Sequence, residues 1–98
     1  MYHFNMHELD VLKSAVNCYG LEAQLNQLTE ECGELIAAVN HFRRGRACGR
    51  AELVEEMADV YIMIEQIIFG VDCSAGFDSC ISRKIVRLDG RLQKQFEC

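Results

Sequence analysis

The chain reads as an all-α domain, and three observations predict it. Apolar residues recur at alternating steps of three and four along most of the 98 residues. Glycines fall where that rhythm breaks, and no segment shows the strict alternation of a strand pair. No proline, low-complexity tract or internal repeat interrupts the pattern. Half of the residues are apolar, enough for one core, although a chain this short buries only a modest fraction of its surface.

Asn5, with Glu8 three positions on, has the spacing of a capping box and predicts a helix over residues 6–19. Leu9, Leu12 and Val16 face inward, and Gly20 ends the element. A second helix is expected over residues 21–44, where Leu21, Leu25, Leu28, Cys32, Leu35, Val39 and Phe42 form the apolar stripe and Gly45 stops it. A third spans residues 51–69, with Leu53, Met57, Val60, Ile64 and Ile67 as its stripe and Gly70 as its end. The linker of residues 45–49 is short enough to require an antiparallel hairpin. Residues 70–76 read as a loop, with Ser74 and Asp78 as candidate caps for a last helix over residues 77–96. That helix packs Ile81, Ile85, Leu88 and Leu92. Gly90 within it costs about 1 kcal/mol relative to Ala, and marks either a close approach or a bend.

Chemistry concentrates beside the second and third stripes. Glu31 and Glu34 share one helix face, as do Glu56 and Asp59, because residues three apart project together. At about 100° per residue, the first acid of each pair lies roughly 60–70° from its stripe and the second roughly 130°, in the same sense. Equal rotation on antiparallel helices brings all four acids to one side of the hairpin. Four carboxylates beside a core repel one another unless a cation sits among them, most simply a divalent metal held by oxygen. Mg²⁺ suits such an all-oxygen site, with Mn²⁺ as a substitute. Glu30 and Glu55 point nearly opposite the stripe, and Glu55 reads as a surface acid.

Gln24 and Gln27 lie on the same meridian as the acids, placed to bond a ligand or a water. On the last helix Lys84, Arg87, Arg91 and Lys94 repeat at three, four and three, a basic strip suited to phosphate. Arg43, Arg44, Arg46 and Arg50 crowd the hairpin linker. None of His3, His7 or His41 sits at the Glu-x-x-His spacing of di-iron carboxylate bundles, and all three read as surface residues.

The net charge of −5 disfavours nucleic acid as a general partner. No run approaches the ~18 apolar residues of a membrane span, so no membrane partner is expected. The N-terminus lacks the charged and apolar regions of a signal peptide. Six cysteines without a Cys-x-x-Cys pair then suggest reduced thiols and a cytoplasmic location. Cys18 and Cys32 fall in apolar patterns as small hydrophobes, and only Cys73 and Cys80 suggest a bridge.

Glu31-x-x-Glu34 followed by Glu56-x-x-Asp59 resembles the paired motif of the MazG-like, all-α nucleoside triphosphate pyrophosphohydrolases. The likeness extends to Gln24 and Gln27 upstream and to Lys84-x-x-Arg87-x-x-x-Arg91 downstream, covering residues 20–92. It implies one MazG-like domain over residues 1–98, folded as a four-helix bundle and assembled as a homodimer or homotetramer. It further implies cleavage of a nucleoside triphosphate between its α- and β-phosphates, giving the monophosphate and pyrophosphate. Glu31, Glu34, Glu56 and Asp59 would hold Mg²⁺, and Glu30, Glu31 and Glu34 are the candidate catalytic acids, since relatives also double the acid at Glu30. Gln24, Gln27, Lys84, Arg87 and Arg91 would bind substrate. Two other readings stand beside this one. Phosphoribosyl-ATP pyrophosphohydrolases share the fold and acids, but their second motif is usually followed by Tyr-His, where this chain has Tyr61-Ile62. The other reading is a non-catalytic helical interaction module.

Overall fold

A computed structural model describes residues 1–97 as four α-helices, and no strand occurs among them. They are α1 (Met6–Tyr19), α2 (Leu21–Arg43), α3 (Gly49–Val71) and α4 (Ser74–Glu97). The capping box forms as expected: the Glu8 amide donates to Asn5 Oδ1 at 2.8 Å and the Asn5 amide to Glu8 Oε1 at 2.9 Å. Gly20, at φ 89°, both ends α1 and begins α2, a conformation a side chain would resist.

The expected loop over residues 70–76 shrinks to Asp72 and Cys73. Gly70 does not end α3; it lies inside the helix, where an added Cβ would stand 2.8 Å from Leu21 Cδ1 and 3.3 Å from Val16 Cγ1. It is therefore a close-approach glycine that lets α1 and the start of α2 press on α3. Asp72, left-handed at φ 58°, stops the helix instead. Gly49 likewise belongs to α3, and its Cα lies so near α2 that a Cβ would meet the Phe42 backbone at 3.2 Å.

α2 and α3 form the expected antiparallel hairpin. Gln24 bonds to Gln66 and His41 meets Glu52, which fixes the register and sets Glu31 opposite Asp59. The helices are rotated from the expected facing, however. The buried residues of the hairpin are Gln24, Ala38, Gly49, Met63 and Gln66, so a seam with a glutamine pair in it joins the helices. Counting 100° per residue, the apolar stripes turn roughly 70° away from the seam, both to the same side. α1 packs chiefly on α3, burying Val16. The N-terminal segment adds an aromatic contact there, with the Phe4 and Tyr61 rings 5.6 Å apart.

The single chain closes only a small core, whose buried apolar members are Val16, Ala38 and Met63. Among the helices α4 meets only α3, and Ile81, Ile85, Leu88 and Leu92, expected to pack, are exposed. Lys84, Arg87 and Arg91 are exposed on the same helix. Cys18 and Cys32 are exposed rather than buried, and Cys73 and Cys80 are not bridged. Among the described residues no helix is long and apolar enough to cross a membrane.

Candidate metal centre

Glu31 on α2 and Glu56 and Asp59 on α3 each offer a carboxylate oxygen such that all three atoms lie within 4.8 Å of one another. The register explains the convergence: Glu31 is seven residues beyond Gln24, and Asp59 seven before Gln66, so two helical turns separate the acids from the glutamine pair. Glu31 and Glu56 are half-buried and Asp59 is exposed. Gln27 donates from Nε2 to Glu31 Oε1 at 2.8 Å, holding that carboxylate in place. The other oxygens, Glu31 Oε2 and Glu56 Oε2, are buried and have no hydrogen-bond partner.

The carboxyl of Glu56 is raised above the ordinary glutamate value. Burial is the first cause, followed by the charges of Glu34, Asp59 and Glu31. Glu34 is thus beside Glu56, although exposed and outside the close triad. From Glu34 and Glu56 a shallow cleft of about 320 Å³ runs toward the hairpin turn, lined also by Ala37, Ala38, His41 and Glu52.

Not every expected ligand arrives here. Gln24 is buried in the seam, its Nε2 spent on Gln66 Oε1 at 2.7 Å. That bond makes it a register clamp between α2 and α3. Glu30 is exposed and stands outside the triad. Lys84, Arg87 and Arg91 stay on α4, and among the described residues no lysine or arginine lies within ion-pair distance of a carboxylate.

His41, read from sequence as a surface residue, instead lies 3.0 Å from Glu52 through Nδ1 at the far end of the cleft. The signal was periodic: His41 is seven residues after Glu34, and Glu52 four before Glu56, on the same meridians. Gln66, the partner of Gln24, was also missed.

Compared with known proteins, the chain matches no family model, no curated protein and no solved structure. The site must be read from its own atoms.

These atoms suit a hard divalent cation. The donors are all carboxylate oxygens, the type Mg²⁺ and Mn²⁺ prefer, and two lack any other partner. Leaving buried carboxylate oxygens uncompensated is costly, and a cation among them removes the penalty.

Proposed function

We propose that the protein is a Mg²⁺-dependent nucleoside triphosphate pyrophosphohydrolase of the MazG-like kind, with Glu31, Glu34, Glu56 and Asp59 as the metal-holding acids. The observation that carries this reading is the pair of buried, unpartnered oxygens on Glu31 and Glu56 beside Asp59. Bound there, Mg²⁺ would neutralise triphosphate charge and ease deprotonation of the attacking water.

The chain's own residues supply the rest. Gln27 keeps Glu31 oriented, and the cleft beside Glu34 and Glu56 gives the substrate an approach from the hairpin side. Water adds to the α-phosphorus, the bond from that phosphorus to the bridging oxygen breaks, and pyrophosphate leaves. One of the clustered carboxylates takes the water's proton. Glu56, with its raised carboxyl, holds a proton more readily than an ordinary glutamate. Lys84, Arg87 and Arg91 are the cations this reading gives to the phosphates, and reaching them requires α4 to seat on something. The phosphoribosyl-ATP reading ranks behind, because Ile62 follows Tyr61 where a histidine is expected.

The test is a panel of canonical and deoxy nucleoside triphosphates with Mg²⁺ or Mn²⁺. Monophosphate and pyrophosphate in equal amounts from at least one substrate, abolished in Glu56→Gln, is the expected result. Orthophosphate release, or silence across the panel with both metals, rejects the reading.

A further inference from the structure

One groove of this chain takes no part in the metal centre. It lies between α1 and the last two turns of α3, holds about 470 Å³, and shares no residue with the cleft beside Glu34 and Glu56. Its lining includes the apolar side chains of Leu12, Ile68 and Phe69 and three charged ones, Lys13 from α1 and Glu65 and Asp72 from α3 and its cap.

The three charges stand apart. Lys13 Nζ rests over the Phe69 ring, 5.6 Å from its centroid. Among the described residues no carboxylate lies within ion-pair distance of it. A lysine thus takes an aromatic face as its partner while two acids border the same groove.

Spacing along α3 orders these charges. Phe69 follows Glu65 by four residues and precedes Asp72 by three. The level at which Lys13 rests is therefore about 6 Å along the axis from Glu65 and about 4.5 Å from Asp72. Acid, base and acid over an apolar floor are complementary to one kind of small molecule. It carries a carboxylate, an ammonium close beside it, and a second cation at the end of an aliphatic stem.

We propose that this groove binds a free basic α-amino acid of the lysine or ornithine kind. Its carboxylate pairs with Lys13 and its α-ammonium with Asp72, the nearer acid. Its side-chain ammonium pairs with Glu65, and the methylene stem lies on Leu12, Ile68 and Phe69. Other small ligands match less of the groove. An apolar amino acid leaves Glu65 without a partner, a diamine sets a cation against Lys13, and a dicarboxylate sets an anion against the acids. The binding needs neither metal nor nucleotide, so it stands or falls apart from the pyrophosphohydrolase reading.

Isothermal titration calorimetry of the full chain, in chelator and without nucleotide, tests it. The probes are lysine, ornithine and three analogues that each lack one charge. Lysine should bind saturably, one molecule per chain. Norleucine lacks the side-chain ammonium, Nα-acetyl-lysine the α-ammonium and cadaverine the carboxylate; each should bind about tenfold more weakly or worse. Glu65→Gln, Asp72→Asn and Lys13→Met should weaken lysine to the same degree, and each should bind its matching analogue as well as the wild type does. The fold should survive these changes in circular dichroism. Asn accepts the left-handed backbone of position 72, and Met keeps a flexible stem over Phe69. No saturable heat from lysine or ornithine at millimolar concentration overturns the proposal. So does norleucine or cadaverine binding as tightly as lysine, and so does an Asp72→Asn variant that prefers lysine to Nα-acetyl-lysine as strongly as the wild type does.

Discussion

Gln24 and Gln66 provide the sharpest test of the hairpin seam. They are 8% and 5% exposed, and the bond between them, Gln24 Nε2 to Gln66 Oε1, is 2.7 Å long. Gln66 Nε2 has only the Met63 sulfur, at 3.4 Å, so the pair is close to self-contained. Gln24→Leu removes the donor and leaves Gln66 Oε1 buried alone; Gln66→Leu strands Gln24 Nε2. An orphaned buried polar group costs about 1–3 kcal/mol, whereas replacing both partners with apolar groups is nearly neutral. For a domain of this size, each kcal/mol moves the melting temperature by about 4–8 °C. Each single variant should therefore melt about 5–20 °C lower, and Gln24→Leu/Gln66→Leu should recover to within about 1 kcal/mol of wild type. Thermal melts followed by circular dichroism measure this, at one chain concentration because assembly shifts the midpoint. If the double variant loses as much as the two singles together, the pair is not coupled and the seam is misread.

Glu56 and Asn5 give two further tests. In chelator, the raised Glu56 carboxyl makes the folded chain bind more protons than the unfolded one, so stability should fall as pH rises past the ordinary glutamate value. Glu56→Gln should flatten that slope in pH-dependent melts; an unchanged slope would place its cause elsewhere. Asn5→Ala removes the cap that accepts the Glu8 amide and should cost about 1 kcal/mol. A change within error in the melt would mean that α1 frays regardless of its cap.

Much of this was legible in the sequence because it rests on local chemistry. The Asn5–Glu8 box and the stop at Gly20 need only neighbours in the chain, and α1 spans the expected residues. The Glu31, Glu56 and Asp59 convergence also follows from periodicity plus a short linker. What failed depended on packing across elements. Gly70 looked like a breaker, yet it lies within α3, and it is a glycine there because Leu21 and Val16 occupy the space a side chain would need. The rotation of the hairpin was also hidden. Apolar stripes suggested a leucine-lined seam, but Gln24 and Gln66 satisfy one another inside it, and the stripes lie to one side, half-buried except at Cys32, Val39, Phe42 and Met57. Nor does periodicity say what a stripe packs on: α4 has a clear one, and within the single chain it covers almost nothing.

The central claim is that Glu31, Glu56 and Asp59 hold a divalent metal. Titrating the protein with Mn²⁺ and following free ion by electron paramagnetic resonance tests this directly, without any nucleotide. The account predicts saturable loss of the free-ion signal with wild type, competed by Mg²⁺, and a much weaker loss with Glu31→Gln or Glu56→Gln. A wild-type chain that leaves the signal untouched at millimolar Mn²⁺, or a Glu56→Gln variant that binds as tightly, would contradict it.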